Sequence, residues 1–169
     1  MGPAGRLFNS LVPLRDFPGP NVFSLRGGQF RYTAAMPEIA QFVTHGAGSI
    51  TPAIAEKVLR QLPQWKLEFT QITAPQFPHL VDQLEFLANG VEDSLEGAYK
   101  DLPYVAVAQS VFALIYAHKK VGIVPDSILD LGRADDSSVV RAVLIQNEKA
   151  FAIYAGTQGI DWHRITSQP

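Results

Sequence analysis

Residues 80–95 read LVDQLEFLANGVEDSL, and their apolar side chains recur at steps of three and four residues. This period places the apolar residues on one face of a helix and most of the acidic residues on its other sides. A continuous stripe of this kind is typical of a helix that packs one face against a core. The stripe consists of Leu80, Leu84, Leu87, Val91 and Leu95.

The segments that follow predict two further helices. Residues 104–117 are apolar nearly all round, so we expect a central helix that is buried on most of its sides. The cations at 118–120 then suit the negative end of its dipole. A last helix is expected over 135–154, and its apolar stripe is Val139 or Val140, Val143, Leu144, Phe151 and Tyr154.

Helical signals also precede the first stripe. Thr51 is expected to cap a helix that starts at Pro52, and Pro37 suits the first turn of an earlier helix that stops near Gly46. Residues 63–73 fit both helix spacing and strand alternation. We interpret them as helix because their neighbours are helical.

The first 35 residues differ from the rest, since they are rich in Pro and Gly, lack helical periodicity and carry a net charge of +3 from four Arg and one Asp. They predict an extended arm, in which residues 22–25 and 29–33 leave room for a small β-hairpin.

The fold class predicted for the chain is all-α. We expect a compact helical bundle over 36–157, a C-terminal helical hairpin over 102–154, an extended N-terminal arm over 1–35 and a tail over 158–169.

Composition excludes several classes of protein. The 169 residues are 47% hydrophobic and 18% charged, as in one globular domain. The net charge of −2 excludes a nucleic-acid binder driven by phosphate neutralisation, and the lack of Cys excludes disulfides and thiolate metal sites. The longest apolar run is shorter than the roughly 20 residues that span a bilayer, and no signal peptide is recognisable. We therefore expect a cytoplasmic location.

Residues 116–140 read YAHKKVGIVPDSILDLGRADDSSVV and carry the most distinctive pattern of the chain. An apolar helix is followed by Pro-Asp, then Leu-Gly, then Asp-Asp. This order resembles the YkvA-like family, a domain without an assigned function, over roughly residues 102–154. The resemblance implies a helical hairpin and supplies no activity, and Lys120 and Gly122 stand where members usually have Pro and Asp. The matching residues are Pro125, Asp126, Leu131, Gly132, Asp135 and Asp136.

Elementary stereochemistry gives this motif a structural interpretation. Pro125 cannot continue a helix, and Asp126 suits an N-cap or an Asx-turn. Gly132 suits a positive φ where a short turn reverses. Asp135 can cap the last helix, with Asp136 favoured in its first turn by the dipole. The pattern therefore predicts a tight helix–turn–helix hairpin.

A metal site is the competing interpretation of the same motif. Carboxylates at Asp126, Asp135 and Asp136 are oxygen ligands of the kind that Mg²⁺ or Ca²⁺ prefers, although their spacing is not that of a calcium loop. Capping is the preferred interpretation, so we predict no catalytic residue, no bound metal and no cofactor.

The leading hypothesis for function is a soluble, non-enzymatic protein that acts through protein–protein interaction or self-association. No catalytic constellation is visible, and the basic arm and residues 82–101, with a net charge of −5, suit either separate contact surfaces or mutual neutralisation. One alternative is a divalent-metal-binding or carboxylate-dependent enzyme that uses Asp126, Asp135 and Asp136. A second alternative is a peripheral membrane-associated protein. Nucleic acid is not an expected partner.

Overall fold

Helices form all the regular structure in residues 32–120 and 129–166, which are the residues that this computed structural model describes. No strand occurs in these two ranges, so the predicted all-α bundle is confirmed. The first 31 residues of the predicted arm lie outside the described part of the chain. The helices are α1 (Tyr32–Ala47), α2 (Pro52–Leu59), α3 (Leu62–Phe69), α4 (Leu80–Leu95), α5 (Tyr104–Lys120), α6 (Leu129–Gln146), α7 (Glu148–Thr157) and α8 (Trp162–Thr166).

The central helix of the bundle is α5, as its all-round apolarity predicts. It packs against α1, α2, α4 and α6, and Leu114 near its middle is fully buried. Only Tyr104 and Val105, at its N-terminal end, are exposed among the large hydrophobic residues of this helix that the structure describes. A helix with neighbours on so many sides needs apolar residues at nearly every position.

The stripe on α4 faces the core, and its prediction is confirmed. Leu80, Leu84, Leu87 and Val91 are buried, and Leu95 is partly buried against the same core. Phe86 is also buried, because its ring packs against Phe151 and Tyr154 of α7 and Trp162 of α8. The buried surface of α4 is therefore wider than one stripe.

The two short helices before α4 also follow the sequence signals. The Thr51 hydroxyl accepts the backbone N–H of Ile54 at 3.3 Å, as an N-cap should. In α3, Trp65 and Phe69 are buried, whereas Leu67 is 63% exposed. A strand would place all three on one face, so the exposure of Leu67 shows that helical spacing applies here.

The first helix starts earlier than predicted. It begins at Tyr32, so Pro37 lies inside it rather than in its first turn, and the Pro37 prediction is wrong. Pro37 has no N–H to donate to the carbonyl of Thr33, a loss that a helix tolerates near its start better than at its middle. Gly46 lies in the last turn of α1, where a Cβ would overlap the ring of Phe112.

The single helix predicted over 135–154 is two helices, and that prediction is wrong. The chain breaks at Asn147, whose φ of −117° and ψ of 21° are not helical, and α6 ends just before it. The predicted apolar stripe is nevertheless buried throughout, on α6 and on α7. Both helices face the same core in slightly different directions.

The predicted tail after residue 157 contains a packed helix. Trp162 of α8 has its ring centroid 5.7 Å from that of Phe86 on α4, and Ile165 is buried. The side-chain amide of Gln83 on α4 donates to the carbonyl of Ile165 at 2.8 Å. The bundle therefore extends at least to Thr166.

No helix among the described residues has the length and apolarity to cross a membrane.

Candidate functional site

The motif residues that the structure describes lie on one helix. Leu131, Gly132, Asp135 and Asp136 all fall within α6, whereas Pro125 and Asp126 lie outside the described residues. The predicted reversal at Gly132 and the predicted N-cap at Asp135 are therefore wrong. A glycine inside a helix costs only about 1 kcal/mol, and the burial of Val139 and Val140 on the same helix outweighs a cost of that size.

The two adjacent carboxylates of the motif face different surroundings. Asp136 is fully buried, whereas Asp135 is only partly buried. Successive helical residues point about 100° apart, so the two side chains do not converge on one ion. Among the described residues, no group of three or more His, Asp or Glu is placed to hold a metal. Because Asp126 lies outside these residues, the Mg²⁺ or Ca²⁺ site stays the untested alternative to capping.

Three acids of α4 have partners on neighbouring helices. Glu92 forms an ion pair with Lys66 of α3, Asp93 accepts the Tyr154 hydroxyl at 2.7 Å, and Asp82 lies 3.7 Å from Arg164. Burial and the nearby negative charge of Asp93 raise the pKa of Tyr154. Much of the acidic surface predicted at residues 82–101 is thus used to hold α3, α7 and α8 to α4.

A second group of titratable side chains lies at the end of α5. The His118 ring stacks on Trp65 with the centroids 4.1 Å apart, and its Nε2 lies 2.9 Å from the Glu68 carboxylate. Burial lowers the pKa of the neighbouring Lys119. His118 therefore fixes the end of α5 to α3 through its contacts with Trp65 and Glu68.

A network of amide side chains joins three helices at the break between α6 and α7. Asn147 donates to the Gln109 carbonyl oxygen at 2.6 Å, and Gln109 donates to that of Gln146 at 3.0 Å. Gln146 in turn donates to the backbone carbonyl of Ala40 on α1 at 3.1 Å. The Thr44 hydroxyl also lies 3.0 Å from the Gln146 oxygen. Through this network, the residues at the break between α6 and α7 are hydrogen-bonded to both α1 and α5.

A cleft remains between α4, α6, α7 and α8, with a cavity volume of about 110 Å³. Leu144 forms a buried part of its wall, whereas Ile145 is 55% exposed beside it. Trp162 lines the cleft and also packs on Phe86 within the bundle. The residues that line the cleft are Gln83, Arg141, Leu144, Ile145, Glu148, Trp162 and Thr166.

Arg141 is the charged donor of this cleft. Its Nη1 atom is shielded from solvent and has no hydrogen-bond partner among the described residues. The ion pairs formed within those residues do not include Arg141 either. A buried N–H group without an acceptor costs about 1–3 kcal/mol, and more when it is charged. Nη1 is thus an unsatisfied donor next to the cleft, and an acceptor in the cleft reaches it only if the guanidinium turns outward.

Two other polar residues of the cleft are already engaged in hydrogen bonds. The Thr166 hydroxyl donates its single proton to the carbonyl of Trp162 at 2.9 Å, and Gln83 donates to Ile165. Glu148 lines the cleft opposite in charge to Arg141, yet no ion pair joins the two. Arg141 is not part of the apolar stripe predicted for the last helix, and the sequence gives no sign of the cleft.

Comparison with known proteins finds no relative, since no family model, no curated protein and no solved structure matches the chain. The YkvA-like resemblance thus stays a resemblance in six motif positions.

Proposed function

We propose that this protein is a non-enzymatic binding module that holds a segment of a partner protein in the cleft between α4, α6, α7 and α8. The observation that carries the proposal is the shielded Nη1 atom of Arg141, without an acceptor among the described residues, next to a half-exposed apolar wall. The cytoplasmic location predicted from the sequence stays a prediction.

The size of the cleft favours a protein segment over a cofactor. Pockets for ligands of cofactor size typically measure about 300–1,000 Å³, several times the volume of about 110 Å³ found here. A cavity of about 150 Å³ holds one benzene molecule. The cleft is therefore sized for one anchoring side chain, with the rest of the segment lying on the surface around it.

The composition of the cleft also suits a protein partner. Arg and Trp are the residue types most often found where binding energy concentrates in protein interfaces, and Arg141 and Trp162 lie on the same cleft. Ile145 adds apolar surface that a partner would cover. These three residues would form the centre of an interface, and polar residues around them would form its rim.

The proposal is tested by selecting peptides from a random display library on the full chain and measuring their affinity for two matched variants. Ile145→Ser changes the cleft wall, whereas Ile153→Ser changes an equally exposed isoleucine, also 55%, that does not line the cleft. We expect peptides that bind the wild type and Ile153→Ser alike and bind Ile145→Ser at least about fivefold more weakly.

Two outcomes would contradict the proposal. One is that the library yields no peptide for the wild-type chain. The other is that the selected peptides bind Ile145→Ser as well as Ile153→Ser, which would place their site elsewhere. Circular dichroism of both variants checks that the helices are intact.

A further inference from the structure

We infer that the anchoring side chain of the partner is a carboxylate, an Asp or Glu that binds the guanidinium of Arg141, and this inference rests on the proposed function. The cleft holds a cation whose Nη1 atom is shielded from water and lacks an acceptor in the described part of the chain. A carboxylate supplies two acceptor oxygens in the plane that a guanidinium presents. Charge complementarity therefore selects an acidic segment.

The other walls of the cleft narrow the chemistry of that segment. Leu144, Ile145 and Trp162 surround the charged group with apolar surface, so the residue next to the acid should be aliphatic or aromatic. Glu148 lies on the same cleft and repels a second negative charge. The arrangement favours one singly charged carboxylate over a phosphate group, which carries a charge of about −1.5 to −2 at neutral pH.

The size of the cleft agrees with this assignment. A volume of about 110 Å³ accommodates a short carboxylate with its methylene groups, and leaves little room for a nucleotide. The bound carboxylate would accept from the guanidinium once its unsatisfied N–H turns toward the cleft, while its methylene groups contact Ile145. Burial of this kind makes a charge-assisted hydrogen bond stronger than the same bond at a surface.

A titration with small molecules tests the inference directly. Butyrate serves as the probe, butyramide as its uncharged analogue and inorganic phosphate as the competing anion. Binding is followed by NMR through the indole N–H of Trp162, which is assigned by its loss in Trp162→Phe. We expect saturable shifts with butyrate, none with butyramide and weaker binding of phosphate.

Variants of the cleft separate a specific contact from general electrostatics. Arg141→Gln should weaken butyrate binding at least about tenfold, and Arg141→Lys, which keeps the charge but loses the planar fork, should lie between it and the wild type. Lys149→Gln removes the same charge from α7 outside the cleft and should leave binding within about twofold. Glu148→Gln should strengthen binding, because it removes a like charge.

The outcomes distinguish this inference from the proposed function. Selected peptides that lack acids, or that bind Arg141→Gln as well as the wild type, would overturn the carboxylate assignment and leave the binding module standing. Phosphate that binds more tightly than butyrate would also overturn it. No peptide selected on the wild type would overturn both. Thermal unfolding of Arg141→Gln shows whether the variant is folded, and Arg141→Lys decides the outcome if it is not.

Discussion

At Gly46 of α1, the backbone lies in close contact with the Phe112 ring of α5. A Cβ at this position would lie 2.7 Å from Cδ2 of Phe112. The Phe112 ring is itself held by Phe42, with the ring centroids 5.3 Å apart, so it has little freedom to move aside. We therefore expect Gly46→Ala to destabilise the fold by about 1–3 kcal/mol, measured by denaturant unfolding.

A second glycine provides the control for this substitution. A Cβ at Gly156 in α7 would meet nothing within 4 Å, and alanine is the better helix former. Gly156→Ala should leave stability unchanged or raise it by up to about 1 kcal/mol. Equal effects of the two substitutions would show that α1 and α5 are not in the close contact described.

Leu114 tests the position of α5 at the centre of the bundle. Because its side chain is fully buried, Leu114→Ala should lower the free energy of unfolding by about 2–5 kcal/mol. Val105 is 55% exposed on the same helix, so Val105→Ala should change stability by less than about 0.5 kcal/mol. An unfolding midpoint that hardly moves for Leu114→Ala would mean that this side of α5 faces solvent.

Ionisation of Tyr154 should lower the stability of the fold at high pH. Burial, the hydrogen bond to Asp93 and the negative charges of Asp93 and Glu92 raise the pKa of Tyr154. The folded state thus holds the phenol proton more tightly than the unfolded chain does. The stability contributed by this group is complete below about pH 10, the ordinary pKa of tyrosine, and is lost as the pH rises further.

Urea unfolding at about pH 8 and about pH 11 measures this effect. The wild type should lose more stability between the two pH values than Tyr154→Phe, which has no proton to release. Other tyrosines and lysines titrate in both proteins, so the difference between the two isolates Tyr154. Parallel losses in both proteins would contradict the prediction.

At the scale of the helices, the break between α6 and α7 depends on the amide network. Gln109→Ala removes the acceptor of one Asn147 N–H and the donor of one hydrogen bond to the Gln146 oxygen, and we expect a loss of about 1–3 kcal/mol in unfolding free energy. Gln64 makes an exposed contact with Glu68 along one helix. Gln64→Ala should cost no more than about 0.5 kcal/mol, and equal costs would refute a role for the network.

The sequence predicts some helices better than others for a physical reason. The period of α4 and the apolarity of α5 each show, within one segment, which side is buried. The end of α6 at Gln146 depends instead on Gln109, which is 37 residues away in the chain. Gly132 and Asp135 suggest a helix that starts at Asp135. The helix α6 instead runs through both residues, because the segment that follows them is buried against other helices.

At the scale of the whole molecule, opposite charges meet inside the bundle as well as on its surface. Lys66 of α3 contacts both Asn89, at 2.7 Å, and Glu92 of α4. The acidic residues of α4 therefore serve in part to hold neighbouring helices, and the net charge of the helix alone does not show this role. The exposed acids Glu85 and Glu96 remain for contacts with other molecules.

The cleft could not be predicted from the sequence, because it is formed by residues that are far apart in the chain. Its walls come from four helices, and Trp162 belongs to a segment that the sequence indicates as a tail. A lone arginine on the outer side of α6 carries no signal of its own, since its surroundings are formed by α4 and α8. Only the packing of the whole bundle shows that Nη1 of Arg141 is shielded.

The enclosure of α5 determines how the protein opens under native conditions. Its neighbours α1, α2, α4 and α6 must separate before water reaches its middle turns, so the amide hydrogens there should exchange with deuterium only when the entire bundle opens. The five-residue helix α8 can detach by itself, and its amides should exchange much faster. Slow exchange in α5 would then report the global unfolding equilibrium, while exchange in α8 would report how often the cleft loses one of its walls.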